Sequence, residues 1–175
     1  MTQSPHPTSH DSGSTAGVVP ADSGTILLSG PLGAVLLAGR ERTGGAVSFV
    51  LHPLAPRALG SPVHTHTRED EWSFVLEGRV GIELDGHTSI AGPGDLVLKP
   101  RGIPHAFWNA GDEPARLLEV ITPGGFESYF EELAEVIAAS PMPDLQRLGE
   151  VAAKHRVIVD PDSVPRLMQS HGLEG

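Results

Sequence analysis

From Thr25 to Thr122 the chain alternates short apolar stretches with glycine, proline and aspartate: TILLSG, AVLLAG, AVSFVLHPL, EWSFVLEG, RVGIELDG, HTSIAG, DLVLKP, HAFWNAG and ARLLEVITP. Turn residues recurring about every 10 positions predict many short strands, the pattern of a sandwich or barrel. Asp85-Gly86, between IEL and HTSI, reads as a tight hairpin turn, because both turn positions must tolerate positive φ. After Gly125 the period changes. Phe126, Tyr129, Phe130, Leu133, Ala134 and Ile137 fall on one helical face, which leaves Glu127, Glu131, Glu132 and Glu135 for the wet face. Ser140-Pro141 ends this helix, and a second runs from Asp144, a good N-cap, to about His155. A short strand, RVIVD, and a helical turn near Val164 to Ser170 follow. A two-helix tail has no core of its own, so it must pack on the barrel or at a subunit junction. Residues 1–24 are mostly Ser, Thr, Pro, Gly and His, which cannot offset the entropy of ordering. The expected organisation is a disordered tail over 1–24, a β-domain over 25–122 and a helical extension over 123–175. His6 and His10, in that tail, read as solvated.

Composition narrows the partners. A net charge of −10, from 12 Lys and Arg against 22 Asp and Glu, repels phosphate backbones and anionic lipid, so small molecules and proteins remain. Without cysteine there is no disulfide, no thiolate nucleophile and no sulfur-ligated metal, so any ion must be held by His, Asp or Glu. No apolar run approaches the roughly 18 residues of a membrane span, and no Lys or Arg precedes Arg40 to build a signal peptide, so a cytoplasmic location is the expectation.

Two segments carry candidate chemistry. In Gly60-Ser-Pro-Val-His64-Thr-His66-Thr-Arg-Glu-Asp-Glu71, the two histidines point to one side of an extended chain and can share one ion. Glu71 joins them only if Thr67 to Asp70 forms a turn or bulge that resets the register. On the strand that follows, Trp72, Phe74 and Leu76 alternate with Glu71, Ser73 and Val75, and both faces read as buried. In the second segment Pro100 and Gly102 form a sharp turn, and Pro104 fixes an extended approach into His105, whose side shares Phe107 and Asn109. His105 is thus a fourth candidate ligand.

These residues resemble the cupin superfamily. His64-x-His66-x4-Glu71-x6-Gly78 is similar to its first motif, and Gly94-x5-Pro100-x-Gly102-x2-His105-x3-Asn109 to its second; the leading glycine of the first motif is replaced by Ala58, with Gly60 two positions later. The resemblance covers roughly residues 45–122. It implies an all-β fold, a double-stranded β-helix or jelly-roll barrel with a C-terminal helical extension, and a metal ion held by His64, His66, Glu71 and His105. Barrel plus helices also resembles single-domain cupins of the quercetin-dioxygenase-like kind. Three neutral imidazoles and one carboxylate leave a six-coordinate divalent ion two open positions; Fe²⁺ suits oxygen activation, Mn²⁺, Co²⁺ or Ni²⁺ fit the same ligands, and Zn²⁺ could close a tetrahedron. The leading expectation is a dioxygenase that takes O2 and an aromatic, enol or flavonol-like substrate. The alternatives are a metal-dependent isomerase, cyclase or lyase, and a non-catalytic small-molecule-binding barrel. Glu71 has a second possible role as general base. A homodimer is expected, because pairing removes exposed strand edges. Trp72, Phe74, Phe107 and Trp108 read as core, Asn109 as a turn cap, and His52, His87 and Arg101 as solvent-exposed.

Overall fold

The computed structural model describes residues 16–20, 22–140, 142 and 144–174. Most of the expected tail, residues 1–15 and 21, and Pro141 lie outside the described residues. Two antiparallel sheets face each other. The six-stranded sheet has the order β1 (Thr25–Leu28), β2 (Ala34–Ala38), β3 (Ser48–Leu54), β10 (Ala115–Thr122), β5 (Asp70–Glu77), β8 (Leu96–Lys99). The five-stranded sheet runs β11 (Val157–Asp160), β4 (Val63–His66), β9 (His105–Asn109), β6 (Val80–Leu84), β7 (His87–Ala91). This is the double-stranded β-helix expected. The hairpin joining β6 and β7 turns through Asp85 and Gly86, at φ 48° and 77°. A short helix, α1 (Arg40–Thr43), follows β2.

Alternation along the strands sorts side chains into the barrel. Val50, His52 and Leu54 of β3, Leu117, Glu119 and Ile121 of β10, and Glu71, Ser73 and Val75 of β5 all point inward. One end of the interior is apolar, with Leu54, Val75, Val80, Ile82, Val97 and Leu117 packed together. Polar side chains occupy the middle. The outer face of β5 and β8 is not buried, against expectation: Phe74, Leu96 and Leu98 are 40%, 57% and 54% exposed. Among the described residues no element covers that face, so strand alternation puts these apolar residues in water.

The extension does more than pack on the barrel. β11 pairs with β4, setting Val159 opposite His64 and Val157 opposite His66. Helix α2 (Glu127–Ala138) buries Phe130 and Val136, and Phe126 at its N-cap is buried too. Val136 takes the place expected of Ile137, which is 39% exposed, because the last turn of the helix rotates past the packing face. Glu127 is also not wet: it accepts from Ser48 and from the backbone N–H of Arg40 and Gly125, fastening α2 to the barrel. Helix α3 (Leu145–Lys154) is capped by Asp144, whose carboxylate accepts from the backbone N–H of Gln146 and Arg147. Helix α4 (Ser163–His171) covers the outer face of β6 and β9, where Leu167 and Leu173 pack on Trp108, His171 stacks on its ring at 4.1 Å, and Arg166 forms a two-pronged ion pair with Glu83. Among the described residues, no helix is long and apolar enough to cross a membrane.

Candidate metal centre

The local chain path brings the expected four residues together. β4 ends at His66 and β5 begins at Asp70, so residues 67–69 make the turn that returns Glu71 to the same side as the histidines. His105, the first residue of β9, lies directly across from His64. The N–H of Gly102 donates to the carbonyl of His66 at 2.8 Å, tying the turn before His105 to β4.

The three rings are oriented by their outer nitrogens. Nδ1 of His64 donates to the carbonyl of Pro62 at 3.0 Å and Nδ1 of His105 to that of Ile103 at 2.9 Å, which leaves both Nε2 atoms bare toward the centre. Nε2 of His64 is 3.1 Å from Nε2 of His66, Nε2 of His66 is 3.3 Å from Oε1 of Glu71, and Nε2 of His105 is 3.2 Å from Oε2 of Glu71. One donor atom from each residue falls within 4.8 Å of the others. An ion about 2.1 Å from each donor sets neighbouring donors roughly 3.0–3.4 Å apart, so the residues fit a divalent cation.

Charge agrees with geometry. Burial, with His105 and His66 nearby, holds His64 well below the ordinary histidine value; burial also lowers His66, so both imidazoles are neutral and ready to ligate. Burial pushes Glu71 upward, but Lys99, His66 and His105 outweigh it and keep the carboxylate well below its usual range. The site therefore sets the neutral nitrogens of His64 and His66 beside an anionic oxygen.

Three further interior groups escape motif reading. Lys99, 1% exposed, lies 3.0 Å from Glu71 and 2.8 Å from Glu119, and Ser73 donates to Glu119 at 3.0–3.1 Å. The signal was present in the alternation, since Glu119 sits between inward Leu117 and Ile121, and Lys99 two residues after inward Val97. His52, read as exposed, is instead 2% exposed: it sits mid-strand on the inner face of β3, donates from Nδ1 to the carbonyl of Gly33 at 2.8 Å, and lies among Phe107 and Phe130. Burial lowers its pKa to about 4, so its Nε2 is an acceptor. Asn109 holds a loop, as expected, donating to the carbonyls of Ala55 and Glu113. His87 is exposed, and Arg101 pairs with Asp70 at the surface.

A cavity of about 100 Å³ opens onto His64, His66 and Glu71. His52 and Glu119 line it from within, and Phe107, Phe126, Tyr129 and Phe130 give it an aromatic wall. Of the four aromatic residues read as core, only Phe107 reaches the cavity; Trp108 faces α4, and Trp72 and Phe74 lie on the outer face.

Residues 50–121 match the family described as Cupin domain. Among curated proteins, the chain is 35% identical over 60 residues to polyketide synthase CurC of Streptomyces cyaneus, covering 34% of this chain and 39% of that protein. It is 36% identical over 69 residues to germin-like protein 5-1 of Oryza sativa subsp. japonica, covering 37% and 31%. The chain thus spans less than two fifths of the length of the curated relatives it matches. Among solved structures, KdgF from Halomonas sp. superposes with a TM-score of 0.50 at 22% identity, over 58% of this chain and 86% of that one, a likeness of fold.

Proposed function

We propose, from a β-domain that belongs to the cupin superfamily, that this chain is a mononuclear-metal enzyme acting on a small, apolar, enolisable carbonyl or phenolic compound by proton transfer, as an isomerase, cyclase or lyase. The observation that carries the reading is the opening of the four-donor cluster into an aromatic-walled cavity that also holds acid and base side chains. His64, His66, Glu71 and His105 would hold the ion. A bound divalent ion supplies Lewis acidity toward a carbonyl or enol oxygen. The chain supplies the rest: Phe107, Phe126, Tyr129 and Phe130 exclude water and pack a flat apolar body, while Nε2 of His52 offers an acceptor for a substrate hydroxyl. The similarity to polyketide synthase CurC supports a polyketide-type substrate.

The aromatic wall also favours a second reading, the dioxygenase expected from sequence, in which O2 is a co-substrate of the bound compound. The two separate on redox. The protein is loaded with Zn²⁺ under nitrogen, or with Fe²⁺ in air, and offered β-diketones, phenols and flavonols. Turnover with Zn²⁺ and no oxygen supports the first reading; oxygen uptake confined to the Fe²⁺ form replaces it with the second. Silence in both, with the ion bound, removes both. We further propose a homodimer through the outer face of β5 and β8, where edge strand β8 places Leu96 and Leu98 beside Phe74. Light scattering that reports a monomer at micromolar concentration refutes it.

A further inference from the structure

The barrel interior contains a second carboxylate that is not among the four ligand candidates. Glu119 is 2% exposed, stands on β10 opposite Ser73, and lines the same cavity as His64, His66 and Glu71. Its oxygens receive the hydroxyl of Ser73 and the ammonium of Lys99. An ionised carboxylate has about four lone-pair sites, so these two donors leave acceptor capacity free. Lys99 spans 3.0 Å to Glu71 and 2.8 Å to Glu119, so one cation serves two anions.

An ion on Glu71 would answer that carboxylate's charge, so Glu119, lining the cavity with lone pairs to spare, is the interior carboxylate left to meet a substrate proton. We infer that Glu119 is a further catalytic residue, the group that takes the proton from a substrate hydroxyl or enol bound in the cavity. The substrate O–H bond breaks, its electron pair stays on the substrate oxygen, and the proton bonds to a Glu119 oxygen; return of that proton to carbon or oxygen completes an isomerisation. This role rests on the metal-cupin reading above. Burial, opposed by Lys99 and reinforced by the charge of Glu71, raises Glu119 to about 7, which suits a group that both accepts and returns a proton near neutrality. The other groups near it are Ser73, which does not titrate in this range, and His52 in the same cavity, whose pKa of about 4 leaves it a poor holder of protons.

The test counts protons, with acetylacetone as an acidic enol probe. The Zn²⁺-loaded full chain is titrated by calorimetry at about pH 8 in two buffers of different ionisation heat, which gives the protons released to solvent on binding. Glu119→Gln is expected to release about one proton and the wild type clearly fewer, because the enolate left beside Glu119 raises its hold on the proton. Equal release by the two proteins overturns the role of Glu119 while leaving the metal-cupin reading intact, as does a shift seen in His52→Gln instead. Failure of the probe to bind the zinc-loaded wild type removes both the role and the reading. If Glu119→Gln does not fold, infrared difference spectra of the wild type decide: a protonated-carboxyl band gained on probe binding supports the inference, and its absence ends it.

Discussion

Nζ of Lys99 stands 3.0 Å from Oε2 of Glu71, the same oxygen that lies 3.2 Å from Nε2 of His105. One oxygen therefore answers both to a fixed cation and to the donor cluster. The lysine keeps Glu71 ionised and pre-aimed, but its positive charge also repels an incoming ion. Removing one partner of a buried pair typically costs about 3–5 kcal/mol, because the other charge is left uncompensated. Lys99→Met is expected to be strongly destabilised without metal and to recover most of that loss when Co²⁺ is added, since the ion then neutralises Glu71. Thermal melts of metal-free and Co²⁺-loaded protein check this. A metal-induced rise in Tm no larger in Lys99→Met than in wild type would show that lysine and ion do not compete for the carboxylate.

Glu69 offers a second handle on the centre. Nδ1 of His66 and Oε2 of Glu69 are both buried without a hydrogen-bond partner and lie 3.8 Å apart. His64 and His105 have a backbone carbonyl at the equivalent nitrogen, and His66 has only this carboxylate. Where a ligating histidine hydrogen-bonds such a carboxylate, the partner typically contributes about 10–100-fold to metal affinity, and a small closure of this 3.8 Å gap makes that bond. Glu69→Ala is expected to weaken Co²⁺ binding by about 10-fold or more at near-wild-type stability, as read by a Co²⁺ absorption titration. Unchanged affinity would assign Glu69 to the turn alone.

The ligand cluster was legible because its spacing is local: His64 and His66 share a strand face, the turn at 67–69 is polar, and Pro104 sets up His105. The polar trio was not, because Lys99 and Glu119 meet only through cross-strand register, Glu71 against Lys99 on one side of β5 and Ser73 against Glu119 on the other. Single-strand alternation marks each as inward without saying what it meets. His52 was misplaced for the same reason, since nothing near it in sequence announces the aromatic rings of Phe107 and Phe130 that bury it. The role of β11 was hidden too: RVIVD reads as a strand, but its pairing with β4 spans some 90 residues of chain.

Two buried groups should give the metal-free protein opposing pH dependences that largely cancel in the wild type between about pH 4 and 7. Burial raises Glu119 from 4.5 to about 7, so the stabilisation its buried protonated form provides is fully present below pH 4.5 and is lost as pH rises through about 7, amounting to roughly 3 kcal/mol. Burial lowers His52 from 6.5 to about 4, so its contribution is present above pH 6.5 and is lost as pH falls through about 4, by a similar amount. Urea midpoints of EDTA-treated protein between pH 4 and 9 measure the balance. Glu119→Gln is expected to unmask a rise in stability between about pH 4 and 6.5, due to His52, and His52→Gln a fall between about pH 4.5 and 7, due to Glu119. Curves parallel to wild type for either variant would exclude that residue as the source.

Gly60 tests whether the cavity can be altered without touching the ion site. Its φ is not in the left-handed region, so backbone strain is not at issue; instead, a Cβ at this position would run into the ring of Phe107, which lines the cavity. The backbone N–H of Gly60 donates to the carbonyl of Phe107 at 2.9 Å, so the two chains cannot simply part. The ring must move, and the cavity is the open side. Overpacking of this kind typically costs about 1–3 kcal/mol. Gly60→Ala is expected to lose about that much stability, to keep Co²⁺ affinity within a few-fold because no ligand is displaced, and to bind acetylacetone at least ~10-fold more weakly, a barrier of about 1.4 kcal/mol. The double variant Gly60→Ala with Phe107→Leu should recover much of the lost probe affinity, since the shorter side chain vacates the space the methyl needs. Calorimetry with acetylacetone beside a Co²⁺ titration separates the effects. If the single variant lost metal and probe together, the cavity wall and the ion site would be one mechanical unit.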